Sequence, residues 1–232
     1  KGMLGRTLQE SFKDDEVIVA DLPECDITDR SSIAAFFAEA DPDVVIHAAA
    51  MTNVDGCEAN SELAYKINEE GTRNVAIVSA AMNARLIAIS TDYVFDGTGD
   101  SPRTEDMEIA PIGVYGITKA DGEKSVLENT EKYYILRTAW LYGWAGKNFV
   151  YTMIRAMNTH DAVKVVNDQK GTPTFAGDLT KVILEIISRD SMIPYGIYHV
   201  TDIGEITWWD FTNEIKKQGI ETGWINETGK NC

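Results

Sequence analysis

The sequence predicts an α/β fold, a doubly wound parallel sheet with a second, smaller lobe. Three observations carry this. Short β-type runs alternate with longer helical stretches, the pattern of parallel βαβ units. The strand-like runs are apolar on consecutive positions, as strands covered by helices on both faces are. Helical stretches open on capping residues, Asp29 before the run at 31–37 and Asp178 before the run at 179–187.

In chain order, a helical stretch at 6–12 precedes a strand at 16–20, and the helix at 31–39 ends before the turn residue Pro42. A strand at 44–47 leads to a long helix at 61–82 and a second central strand at 86–90. The 97–102 stretch is a turn, and Pro111 with Gly113 leads into a helix at 115–129. The strand at 133–138 follows. After Tyr142 the alternation breaks, because Gly143, Gly146 and Asn148 read as a loop, and a smaller lobe begins. It takes in 149–172 and a helix at 208–219, while the helix at 178–188 and the strand at 196–200 return to the main sheet. The expected division is a dinucleotide-binding domain at 1–142 with 173–202, and a substrate lobe at 143–172 with 203–232. There is no internal repeat.

Composition narrows the function. Across 232 residues, 21 Lys+Arg face 37 Asp+Glu, a formal charge of −16. An excess of carboxylates repels a phosphate backbone, so nucleic acid is excluded as a partner and any bound phosphate is small and held by local geometry. The apolar runs are too short to cross a bilayer, and membrane partners are excluded too. Cys25, Cys57 and Cys232 have no CxxC spacing and read as reduced thiols of a cytoplasmic protein, with no metal site. His47 and His199 sit in apolar strand-like runs and read as hydrogen-bonded core imidazoles; His160 stands apart from both.

Lys1-Gly2-Met3-Leu4-Gly5 opens the chain, and Gly2 and Gly5 have the spacing of the last two glycines of a GxxGxxG turn. Missing side chains there let backbone amides approach a pyrophosphate at a helix N-terminus, as in Rossmann folds. The strand at 16–20 ends on Asp21, an acidic residue suited to the adenosine ribose hydroxyls of NAD; Arg6 instead suits the 2′-phosphate of NADP. Tyr115 and Lys119 are four apart on a helix and therefore share a face, so the ammonium is expected to lower the phenol's pKa and equip it for proton transfer. The strand at 86–90 runs into Thr91-Asp92-Tyr93, placing a hydroxyl at the end of a central strand, where open α/β sheets bind ligands. Ala48, Ala49 and Ala50, after the strand at 44–47, leave room for a flat cofactor or serve close packing.

With these in place the sequence resembles the extended short-chain dehydrogenase/reductase family, in the branch that reduces the C4 ketone of dTDP-linked 4-keto-6-deoxy sugars. The strings GMLG, HAAAMTNVDGCE, INEEGTRNV, STDYVFDG, VYGITKADGE, ILRTAWLYG, NFVYTMIRA, VNDQKGTPT and GIYHVTD carry the likeness in family order over nearly the whole chain. The resemblance implies an NADPH- or NADH-dependent oxidoreductase of cell-wall polysaccharide synthesis, acting on a small nucleotide sugar and forming a homodimer. It implies a catalytic set of Thr91, Tyr115, Lys119 and Asn68, with Tyr115 protonating the C4 oxygen, Thr91 polarising the carbonyl and Asn68 organising the proton relay. Cofactor contacts fall on Gly2, Met3, Leu4, Gly5, Asp21, Asp26, Ala48, Ala49, Ala50, Tyr115 and Lys119. Substrate contacts fall on Thr91, Asp92, Tyr93, Trp140, Asn148, Asp168 and Gln169. By the same register, a first β-strand is expected before Lys1 and an arginine-bearing segment after the tail. A non-catalytic dinucleotide-binding subunit, similar to the β subunit of methionine adenosyltransferase, is the alternative from another class, and a reductase of a different 4-keto sugar is the alternative within it.

Overall fold

The protein, represented by a computed structural model, is described at residues 1–13, 15–99, 102–189 and 192–226. Cys232 and the end of the expected 203–232 segment lie outside the described residues, as do two positions of the 97–102 turn. The chain divides into two compact units. One comprises Lys1, Phe12–Thr138 and Val182–Val200; the other comprises Gly2–Ser11, Ala139–Lys181 and Thr201–Cys232.

The first unit is built on a parallel sheet. Among the described residues its strands are β1 (Val44–His47), β2 (Arg85–Thr91), β3 (Tyr133–Thr138) and, later in the chain, Gly196–His199, ordered side by side as named. Val45 pairs with Leu86, Leu86 with Tyr133, and Tyr134 with Gly196. All four strands therefore end at one edge, on His47, Thr91, Thr138 and His199.

Helices pack on this sheet through apolar stripes. Helix α2 (Arg30–Ala40) starts at Asp29, whose carboxylate accepts from the Ser31 N–H, and stops at Asp41, which turns left-handed at φ 44°. Its Ile33 and Phe37, one turn apart, bury into a core with Val75, Val78, Leu86, Ala88, Val126 and Ile135. Val75 and Val78 come from α5 (Thr72–Ala81), and Val126 from α6 (Val114–Asn129). Short helices α3 (Val54–Ala59) and α4 (Ser61–Tyr65) lead to a wider π-helical turn, Lys66–Gly71, and then to α5.

Three expectations are corrected. Residues 16–20 form no strand: they have no regular secondary structure and no ladder partner among the described residues, and Val17, Ile18 and Val19 stay exposed. β-type patterning specifies a strand only when a neighbouring strand satisfies its N–H and C=O groups. The helix at 61–82 is interrupted by the π turn. The helix read from Asp178 begins earlier, at Ala176, and runs to Ser188, with Asp178 in its first turn.

The second unit holds α1 (Met3–Ser11), the strands β4 (Leu141–Tyr142), β5 (Lys170–Gly171) and β6 (Thr174–Phe175), and α7 (Phe149–Thr159). It also holds the start of α8 (Ala176–Ser188). With Gly196–His199 counted as β7, the last elements are β8 (Ile206–Thr207) and α9 (Trp208–Glu221). β4 pairs in parallel with β6, and β5 antiparallel with β8. A capping box starts α9: Asp210 N–H donates to the Thr207 hydroxyl, and Thr207 N–H returns to the Asp210 carboxylate. Residues 2–11, 139–142, 173–181 and 201–202 thus fall outside the unit expected for them. Met3 explains the first displacement, since it packs against Gly143 and Gly146.

Candidate active site

Three consecutive residues of β2 meet three turns of α6. The Lys119 ammonium donates to the Ile89 carbonyl at 2.7 Å, the Ser90 hydroxyl donates to Glu123 Oε1 at 2.5 Å, and the Tyr115 phenol lies beside the Thr91 hydroxyl. Helix spacing brings the three together, since 115, 119 and 123 recur every four residues on one face. The helix starts at Gly113 with no side chain of its own as cap, and Glu58 from α3 supplies it, accepting from the Val114 N–H at 2.7 Å.

Close approach depends on glycine. A Cβ on Gly116 would collide with the Tyr93 carbonyl oxygen, and one on Gly122 would lie 2.6 Å from the Asn68 carbonyl oxygen. Gly116→Ala is therefore expected to displace the α6 start, costing about 1–3 kcal/mol as other overpacking changes do. Urea unfolding measures the loss, and activity should fall with it because Tyr115 sits one residue away.

Asn68 lies in the π turn and is fully buried. Its Oδ1 accepts from the Met51 N–H at 2.8 Å, and its Nδ2 donates to the Met51 carbonyl at 3.1 Å and to the Thr118 hydroxyl at 3.1 Å. One side chain thus ties the segment after β1 to α6, and the wide turn aims it there, a recurrent use of π turns. Asn68 acts by positioning neighbours.

Electrostatics correct the expected Tyr–Lys coupling. Burial pushes Tyr115 up to about 12, helped by the Asp92 charge and opposed by the Thr91 hydrogen bond. Lys119 is buried, with its pKa lowered to about 8 by desolvation, and its ammonium is engaged by the Ile89 carbonyl. The phenol is therefore neutral at pH 7. His47 is held neutral as well: burial, with the Lys119 charge second, lowers it to about 3. Its Nε2 lies 2.9 Å from the Thr72 hydroxyl, whose one proton goes to the Asn68 carbonyl at 2.7 Å, which assigns the His47 proton to Nε2.

Asp92 is raised to about 6, chiefly by desolvation, against the hydrogen bond that Thr91 donates to its Oδ1 at 3.1 Å. While Asp92 is ionised it holds the Thr91 proton; protonation above the ordinary carboxylate range releases it. The expected result is a limb near pH 6 in the kcat/KM profile, present in the parent protein and absent in Asp92→Asn. Tyr93 stands beside this pair, partly exposed, with its ring edge-on to Tyr115 at 5.5 Å.

Of the expected cofactor residues in the first unit, Ala48 and Ala49 are exposed and Ala50 half-buried directly after β1, small side chains at a strand end. Asp21 accepts from the Lys1 amino group at 2.7 Å, which holds its carboxyl below the usual range. Asp26 accepts from the Thr28 N–H and hydroxyl, both at 2.9 Å, which lowers it too. In the second unit, Met3, Leu4 and Gly5 open α1 and Gly2 precedes it, accepting from the Arg6 N–H at 3.0 Å; the first amides of a helix have no partner within it and suit an anion. A Cβ on Gly2 or Gly5 would meet nothing within 4 Å, so packing does not call for glycine there, and the space beside the turn is open to an approaching phosphate.

The expected substrate residues of the second unit are placed differently. Trp140 has a left-handed backbone, φ 47°, and stacks on Trp208 at 3.5 Å, with Gly171 against its edge. Asn148 caps α7: its Oδ1 accepts from Tyr151 N–H at 3.3 Å and its Nδ2 donates to the Gly143 carbonyl at 2.7 Å. Asp168 and Gln169 are exposed.

Sequence reasoning missed the buried network behind β2. Glu123 makes a bidentate pair with Arg137, 2.7 Å from Nη2 to Oε2 and 3.0 Å from Nε to Oε1, both side chains about 4% exposed. The signal was present in Lys119 and Glu123 at i and i+4. His199 departs from its reading only in part: its backbone N–H donates to the Glu105 carboxylate at 2.8 Å and its ring interacts with the Arg103 backbone, but its buried Nε2 has no partner among the described residues.

A parallel α/β sheet whose strand edge gathers a threonine, a tyrosine and a lysine on one helix defines a dinucleotide-dependent oxidoreductase of the short-chain type. Comparison with known proteins narrows this. The family model for the RmlD substrate binding domain matches residues 1–224. The chain is 43% identical over 212 residues to a dTDP-4-dehydrorhamnose reductase of Streptomyces griseus, covering 89% of this chain and 70% of that protein. A dTDP-4-dehydrorhamnose reductase structure from Clostridium acetobutylicum superposes with a TM-score of 0.90 at 46% identity, over 95% of this chain and 79% of that one. Another, from Bacillus anthracis in complex with NADP, gives 0.88 at 41% identity, over 94% and 77%. The chain belongs to the RmlD substrate binding domain family.

Proposed function

We propose that this protein catalyses the NAD(P)H-dependent reduction of the C4 ketone of dTDP-4-dehydro-L-rhamnose to dTDP-L-rhamnose. The observation that carries it is the convergence of Thr91, Tyr115 and Lys119 on the end of β2, in a chain of this family. The bound nicotinamide supplies hydride to C4. Tyr115 supplies the proton: neutral at pH 7, it gives up its O–H as charge develops on the C4 oxygen, and an alkoxide is a stronger base than a phenolate even at about 12. Thr91 orients the phenol and, when Asp92 is protonated and no longer holds the Thr91 hydroxyl proton, donates to the same oxygen. Lys119 places a positive charge beside the reacting end and is the donor for a ribose hydroxyl. Asn68 holds the frame. The glycine turn at α1 is the pyrophosphate site, and Asp21 or Arg6 decides between ribose and 2′-phosphate. Asp26, Tyr93, Trp140, Asn148, Asp168 and Gln169 complete the proposed cofactor and sugar contacts. Buried free thiols at Cys25 and Cys57 support a cytoplasmic location, and among the described residues no helix is long and apolar enough to cross a membrane.

The test is NADPH and NADH oxidation by the purified chain with the keto sugar present. Oxidation dependent on the sugar supports the assignment. Cofactor binding with no oxidation would favour the non-catalytic subunit.

A further inference from the structure

Glu123 touches no reacting atom, yet it stands where the site is assembled. Its Oε1 accepts the Ser90 hydroxyl at 2.5 Å and its carboxylate is gripped by Arg137 from β3. Ser90 lies between Ile89, which receives Lys119, and Thr91, which meets Tyr115. Two hydrogen-bonded rungs therefore join α6 to β2, with the Tyr115–Thr91 contact beside them, and the Glu123 rung is the one that no reactant competes for. If it is lost, the Lys119 rung and the Tyr115 contact lose part of what fixes their distances.

We propose that Glu123 is a positioning residue for this chemistry: anchored by Arg137, it fixes α6 against Ser90 and so holds Lys119 and Tyr115 at the end of β2. The proposal rests on the reading of Tyr115 and Lys119 as the reacting pair. A second effect follows from the same placement, because a carboxylate one turn from Lys119 favours the ammonium. The groups facing Lys119 are Glu123 on its own helix and His47 from β1; those facing Glu123 are Ser90 from β2, Arg137 from β3, Lys119, and His199 from β7. With His47 held neutral, Glu123 is the group whose removal should move Lys119.

Glu123→Gln keeps the shape and removes the charge. Carbon-13 NMR of lysine-labelled protein follows the titration of Lys119, its signal identified by loss in Lys119→Arg. The expected result is a midpoint clearly lower in Glu123→Gln than in the parent; an unchanged midpoint in the folded variant would overturn the proposal. Ser90→Ala gives a gentler second arm that leaves the Glu123–Arg137 pair intact. Its kcat should fall about tenfold, the scale of a small misplacement of reacting groups, with KM little changed and most of the rate recovered in Ser90→Thr. A Ser90→Ala kcat equal to the parent's would count equally against it. The NMR arm needs no turnover, so a parent protein without reductase activity defeats the proposed function and leaves this inference to be judged on Lys119 alone.

Discussion

Tyr115→Phe is expected to lower kcat by about 10²- to 10⁴-fold, the usual contribution of a positioned proton donor, while leaving NAD(P)H affinity within a few-fold of the parent. The reason is local. Removing one oxygen deletes the proton donor and its contact with Thr91, but not the ring, which stays packed edge-on to Tyr93. Nor does it disturb the backbone, since α6 is held through Glu58, Gly116 and the Glu123 rung. Steady-state kinetics with cofactor titration measures both quantities. A variant that kept its kcat would remove Tyr115 from the reaction, and one that lost cofactor binding would assign it to the cofactor instead.

Arg137→Met should be the most damaging single change to stability, at about 3–5 kcal/mol, the scale for stripping one partner from a buried ion pair. Both side chains are about 4% exposed, so the Glu123 carboxylate would be left deep in the protein with only Ser90 as donor. Arg137 also lies over the Phe95 ring at 5.3 Å, and Met recovers part of that packing. Chemical denaturation gives the loss directly. Pairing the change with Glu123→Leu should restore much of it, because a buried ion pair replaced by apolar groups often costs little. A single variant as stable as the parent would mean that water reaches Glu123.

How much of this was legible in the sequence depends on the range of the interactions. Tyr115 and Lys119 were legible because an i, i+4 pair is set by helix geometry alone, and Thr91 because it ends an apolar run. Asp29 and its helix were legible for the same local reason. Residues 16–20 were misread because alternation says nothing about whether a neighbouring strand is there to pair with. The sign of the Tyr115 shift was misread because spacing puts Lys119 on the same helix face but does not report burial: desolvation raises the phenol, and Lys119 is not among the groups that shift it. Glu58, Glu123 and Arg137 were overlooked as site residues because their partners lie on other elements: Glu58 caps a helix 56 positions on, and Glu123 meets Ser90 across 33. The structural role of Asn148 was overlooked: one end of its amide caps α7 and the other bonds the Gly143 carbonyl in the preceding loop.

The central claim is that the hydride goes to C4 of the keto sugar with Tyr115 as the proton source. It is tested most directly by incubating the protein with dTDP-4-dehydro-L-rhamnose and NADPH carrying deuterium at the reactive nicotinamide position, and reading the product by NMR and mass spectrometry. The account predicts one deuterium at C4 of dTDP-L-rhamnose, with incorporation slowed in Tyr115→Phe in step with kcat. Unlabelled product, deuterium at another carbon, or no conversion while the cofactor binds would contradict it.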